Sequence, residues 1–119
     1  MNYELAKRLK DAGWPQPEYG KPVRGEWIVE PGAFNDVYAP STDELIEALG
    51  DCFTFLHRTR GALTFVANSN VRLRGLADIG CALAGGAKPD IALAELWLTP
   101  EVQEALGRNR LTADPSVNA

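Results

Sequence analysis

The stretch FTFLHRTRGALTFVANSNVRLRGL, residues 53–76, decides how this chain folds. It is rich in aromatic and β-branched residues, and it is punctuated by turn chemistry at Arg60–Gly61 and at Asn68, Ser69 and Asn70. The pattern predicts three strands, over 53–59, 62–67 and 71–76, joined as an antiparallel meander of two hairpins. Alternation places Phe53, Phe55 and His57 on one face of the first strand, with Thr54, Leu56 and Arg58 on the other. On the third strand Val71 and Leu73 share a face, opposite Arg72 and Arg74. The expectation is a phenylalanine face, including Phe65, covered by helices, with Arg58, Arg72 and Arg74 gathered on the outer side of the sheet.

Upstream, YAPSTDELIEALG (38–50) reads as a helix. Ser41 with Glu44 three residues on is a capping box, in which each side chain satisfies a free backbone N–H at the other's position. Asp43 and Glu44 fall in the first turn, where the helix dipole favours negative charge. Leu45, Ile46 and Leu49 form its apolar face and Gly50 ends it. Glu47 lies one turn beyond Asp43, but no His or Cys joins these carboxylates. Asp43, Glu44 and Glu47 are therefore expected to build a helix with an acidic surface, and no metal site is expected.

The chain opens with another helix. Asn2 caps it, Leu5, Leu9 and Ala12 repeat at helical spacing, and Gly13 supplies the left-handed stop that folds Trp14 back onto Leu9. PQPEYGKPVRG (15–25) has five Pro or Gly residues and reads as an extended surface connection. Residues 26–30 are a candidate strand and PGAFN (31–35) a turn, while 37–39 reads either as a short strand or as an extended lead-in. Beyond the meander, Leu76, Ile79 and Leu83 allow a short helix, and Gly85–Gly86 reads as a loop. The glycines fit neither a phosphate loop nor a dinucleotide fingerprint, so no nucleotide or other cofactor is expected. Residues 88–98 form a helix with Pro89 at its first position, apolar nearly all round and hence buried. Thr99–Pro100 either kinks it or starts a short one that Gly107 stops.

Together these elements predict an α+β fold, with a small antiparallel sheet of three to four strands and helices on one face. At 119 residues, 45% of them hydrophobic, the chain makes one domain, over 1–107, with a fraying polar tail over 108–119. The longest nearly apolar run, 91–98, is too short for a bilayer, and the first ten residues hold no apolar signal region, so a cytoplasmic protein is expected. Cys52 and Cys81 are its only cysteines and read as small buried hydrophobes. The net charge of −4 conceals a division: residues 26–51 hold seven acids and no Lys or Arg, and residues 52–75 hold Arg58, Arg60, Arg72 and Arg74 and no acid.

Three segments, ELAKRLKDAGWPQ (4–16), VYAPSTDELIEALG (37–50) and KPDIALAELWL (88–98), resemble in order and spacing a group of small uncharacterised bacteriophage and prophage proteins. The match covers about a third of the chain, mostly caps and core. This chain departs from it in Ser41–Thr42–Asp43, in Lys88, in the break at Thr99–Pro100 and in a longer glycine-rich insert before Pro89. The resemblance implies a phage or prophage origin and carries over no catalytic residue.

Three functions remain to weigh. A cysteine enzyme needs a base: Cys52 and His57 stand five residues apart, on opposite faces of one strand, and only Cys81 could approach through the fold. A nucleic-acid module would use the four arginines against phosphate, with Phe53, Phe55 and Phe65 for stacking, against an overall acidic field. The reading favoured is protein binding, through the oppositely charged acidic helix and arginine-bearing hairpin, by an accessory protein that binds a host macromolecule, interference with host defence being one form. The same division of charge could also join copies of the chain.

Overall fold

The computed structural model describes residues 1–30, 36–60, 65–73 and 80–113, with side chains described up to Gly107. The fold is α+β. Helices α1 (Tyr3–Asp11) and α2 (Thr42–Leu49) flank a two-stranded ribbon, β1 (Glu26–Val29) and β2 (Asp36–Ala39). A 3-10 turn over Gly50–Cys52 leads into a three-stranded antiparallel sheet ordered β3 (Phe53–Arg58), β4 (Phe65–Arg72), β5 (Cys81–Gly86). Helices α3 (Pro89–Trp97) and α4 (Pro100–Ala113) complete the chain.

The helix ends follow from local chemistry. Asn2 Oδ1 accepts from Leu5 N at 2.9 Å, and Gly13 at φ 105° lets Trp14 N reach Leu9 O at 2.9 Å and Gly13 N reach Lys10 O at 3.0 Å. That is the Schellman ending expected of Ala-Gly-Trp, although Ala12 itself is exposed and Ala6 takes its place in the buried stripe. The capping box of α2 closes on both sides: Ser41 Oγ accepts from Glu44 N at 3.2 Å, and Glu44 accepts from Ser41 N at 3.0 Å.

The main core joins the helices to the three-stranded sheet, and a smaller one, Ala6, Val37 and Ala39, joins α1 to the ribbon. In the main core, Leu93, Leu96 and Trp97 of α3 lie between Leu45 and Leu49 of α2 and the sheet residues Ala67, Val71 and Ala82, with Leu5, Leu9, Val102 and Leu106 closing it. Trp14 and Trp97 meet edge to face at 5.0 Å. Arg8 of α1 bonds Glu95, the one charged residue in the apolar run of α3, at 2.7 Å, and the Met1 ammonium donates to Asp90 at 2.8 Å.

The ribbon β1–β2 is separate from the main sheet, and of the two readings of residues 37–39 the strand is the one formed, paired with β1. Three expectations need correction. Asn68, Ser69 and Asn70 make no turn but continue β4 through an irregularity, between the pairs Asn68–Leu83 and Arg72–Cys81. Their side chains supply what the broken ladder loses. Buried Ser69 donates to Ala82 O at 2.8 Å and accepts from Val71 N at 3.2 Å, and Asn70 Nδ2 donates to Asp51 O at 2.8 Å. The third strand is therefore β5, where a helix and a glycine loop were expected. Gly86 belongs in it because α3 packs directly on its backbone: a Cβ there would stand 2.7 Å from Ile91 Cγ2 and 2.9 Å from Ala92 N. Finally, α4 runs through Gly107 to Ala113, so the tail expected over 108–119 begins as helix. An interior glycine costs only about 1 kcal/mol, which the packing of Val102 and Leu106 offsets. The expected turn at 31–35, strand residues 62–64, Arg74 and residues 74–79 lie outside the described residues.

Candidate functional site

Strand parity decides what the sheet offers. Ala67, Ser69 and Val71 of β4 are buried against α3, so their partners Phe53 and Leu56 face the core. The irregularity between Phe53 and Phe55 shifts β3 by one position. Phe55 and His57 consequently turn outward, and the expectation of a helix-covered phenylalanine face holds for Phe53 and Phe65 but fails for Phe55, which is 53% exposed. Phe55 and Leu83 both pair with Asn68, so they flank it in one row across the three strands. Leu83 is 60% exposed. His57 extends the row's neighbourhood, its ring 5.4 Å from that of Phe55 and its Nδ1 3.3 Å from Asn68 Nδ2. Val66 and Gly85 continue the same face. Among the described elements no helix packs on it.

Arg58 and Arg72 do not gather as expected, and Arg74 lies outside the described residues. Arg58 pairs with Phe65 at the first residue of β4, on the parity of Leu56 and hence on the helix side, exposed only because the strand ends there. Arg72 ends the same eight-residue strand on the outer parity. Seven steps at about 3.3 Å separate them, on the order of 20 Å. Arg60 is exposed beyond the end of β3. The strands nonetheless keep their one-sided charge, since β3, β4 and β5 contain no Asp or Glu.

The cysteines and the histidine also stay apart. Cys52 is buried in the core while His57 is on the outer face, and Cys81 pairs with Arg72 at the far end of β4 from the Val66–His57 pair. Burial, and then the charge of Asp51, push the Cys52 thiol up, which disfavours the thiolate that nucleophilic chemistry requires. Among the described residues no group of three or more His, Cys, Asp or Glu could hold a metal ion, and no helix is long and apolar enough to cross a membrane.

The acidic residues of α2 stand in a second feature that the sequence did not disclose. A groove of about 670 Å³ runs between the end of α1, the following prolines, β2, α2 and the start of α4. Trp14, Trp97, Ala48 and Leu106 are among its apolar lining residues, and Tyr38, Arg24, Glu44 and Glu47 among its polar ones. Asp43 is exposed and is not among the lining residues. Glu47 holds Arg24 through two parallel bonds, Nη1–Oε1 and Nη2–Oε2, both 2.7 Å. Those bonds to the guanidinium lower the Glu47 carboxyl below its ordinary range and raise Arg24 in turn. Glu44 Oε1 accepts from the Tyr38 hydroxyl as well as from Ser41 N, and the same hydroxyl accepts from Gly25 N at 2.7 Å. Gln16 fixes the floor of the connection, accepting from Tyr38 N at 3.0 Å and donating to Trp14 O at 3.2 Å. Residues 15–25, read as a mere connection, thus supply a wall. A lone Arg24 followed by glycine was the only signal, and Gly25 is needed where it stands because a Cβ would lie 2.1 Å from Ala39 O.

Burial raises the Tyr38 hydroxyl above its ordinary value, and the bond to Glu44 adds to this. A group raised on folding contributes stability that is whole below its unfolded value, about 10, and is lost as pH climbs through the folded one. Tyr38→Phe leaves the Gly25 N–H without its acceptor and should cost about 2 kcal/mol at pH 7. In denaturant melts from pH 8 to 11 the gap between wild type and variant should narrow above about pH 10; a constant gap would contradict this placement of the proton.

No protein-family model, no curated protein and no solved structure matches the chain.

Proposed function

We propose that this chain is a binding protein, and that its partner is another protein, seated on the outer face of the β3–β4–β5 sheet. The supporting observation is the row Phe55–Asn68–Leu83, whose two apolar ends stand half open to solvent on the face opposite the helices. Exposed large apolar side chains brought side by side on a scaffold of regular strands mark interaction surfaces.

Size and charge select the occupant. Three strands of six to eight residues give a face about 10 Å across and about 20 Å long. That is a few hundred Å², short of the roughly 800 Å² per partner of a stable dimer, and it matches the width of one helix. The strands carry no acid, while Arg72 ends β4 on this face and Arg60 lies exposed beyond β3. The occupant is a single amphipathic segment of a partner protein, with an apolar stripe and acidic flanks. The family resemblance suggests the setting, a phage or prophage accessory protein acting on a host protein in the cytoplasm, with interference in host defence as one form. A nucleic-acid ligand is the weaker reading, because Arg58 and Arg72 are spread to opposite ends and faces and do not track one phosphate path.

A photo-crosslinking residue at Phe55, with a control at exposed Lys7, tests this. The expected product, in bacterial host lysate, is a link to an acidic amphipathic segment of another protein, mapped by mass spectrometry and lost in Leu83→Glu. Links to a second copy of the chain, links to nucleic acid, or no links beyond the control would each overturn the proposal.

A further inference from the structure

The groove beside α2 is independent of the sheet face and carries its own chemistry. Its volume of about 670 Å³ falls in the range of ligand sites. Glu44, Glu47 and Arg24 are its charged lining residues, leaving it net negative by one charge. The lining offers acceptors: two carboxylates, and the amide oxygen of Gln103, whose Nε2 is spent on Trp97 O. Both donors that reach Glu44, from Tyr38 and Ser41, land on Oε1. The apolar lining of Trp97, Ala48, Leu106 and Trp14 suits an aliphatic stem.

A guanidinium has five donors and no acceptor, in a planar fork that pairs best with a carboxylate. The groove already displays this pairing, with Arg24 held bidentate by Glu47. That pair is more than half exposed on both sides, so solvent screens it and exchange for an equivalent cation is close to balanced. We propose that the groove is a binding site for a guanidinium on an apolar stem, and that Arg24 occupies the cation's place on Glu47 until the ligand arrives. An anionic ligand would meet two carboxylates here, and an ammonium would forgo the second parallel bond.

Titration with N-acetyl-arginine methylamide, followed by the fluorescence of Trp14 and Trp97 and by NMR shifts of the Glu47 region, tests the proposal. Removing the internal competitor in Arg24→Gln should tighten binding about threefold, as expected when the competent state rises from about a third to all of the molecules. Glu47→Gln, alone or combined with Arg24→Gln, should weaken it at least as much. Both variants touch an exposed pair, so thermal melts should show them folded. The corresponding lysine derivative should bind more weakly and the glutamate derivative not at all. Comparison with free L-arginine assigns the source: equal or tighter binding of the blocked form indicates a peptide side chain, and tighter binding of the free form indicates the amino acid. The proposal is overturned if Arg24→Gln binds no tighter than wild type, or if the glutamate derivative binds as well as arginine.

Discussion

Gly86→Ala is expected to destabilise the protein by about 3 kcal/mol, and to lower its melting temperature by about 10 °C, for the sake of one methyl group. The reason is the contact between strand β5 and helix α3. The added Cβ would meet the amide nitrogen of Ala92 at 2.9 Å as well as Ile91 Cγ2 at 2.7 Å. A flexible side-chain end can move aside, but Ala92 N belongs to a hydrogen-bonded turn, in which it donates to Lys88 O at 3.1 Å. Relief therefore requires the first turn of α3 to lift from the sheet, disturbing Leu93 and Leu96 behind it, both fully buried. Calorimetry of the variant checks this. A change within about 0.5 kcal/mol, the range of ordinary surface substitutions, would mean that α3 does not rest on Gly86.

Trp97→Ala is expected to cost more, about 4 kcal/mol. Trp97 ends α3, is 6% exposed, and meets Trp14 edge to face at 5.0 Å. Its removal opens a cavity between the ends of α1 and α3 and takes away an aromatic pair worth about 1 kcal/mol beyond its area. It also removes part of the groove's apolar lining, so ligand binding should fall along with stability. Trp97→Phe, which refills most of the space, should recover more than half of the lost stability in urea titrations. An equal loss in the two variants would contradict the packing described.

These two residues show unequal legibility in the sequence. Trp97 was marked as core by the apolar run around it, just as Asn2, Gly13, Ser41 and Glu44 announced the ends of α1 and α2. Caps and apolar stripes are local chemistry, written within a few residues of where they act. Gly86 reads as loop because a glycine pair is a loop signal, and its reason for standing in a strand lies in a helix packed across it. Asn68, Ser69 and Asn70 misled in the same way, since their turn-forming side chains serve instead to repair an irregular strand.

One shifted position had the largest consequence. Alternation assigned Phe55 to the core with Phe53, and the irregularity between them turned Phe55 out to solvent. A one-residue slip moves every later side chain to the other face, so it also carries Arg58 to the helix side, away from the face of Arg72. The groove was illegible for another reason. Gln16, Arg24, Tyr38, Glu47, Trp97 and Gln103 come from separate parts of the chain, and nothing in the spacing of any one part brings them together.

The outer face of the sheet is the claim on which the protein-binding proposal stands, and adjacent charge substitutions on β5 test it most directly. Leu83 is 60% exposed and Ala82 is 1% exposed, one residue apart on one strand. Chemical denaturation of Leu83→Glu should give a stability within about 1 kcal/mol of wild type, while Ala82→Glu, which buries a carboxylate beside α3, should not fold. Unfolding of the Leu83 variant, or a stable Ala82 variant, would mean that the opposite face is the bare one.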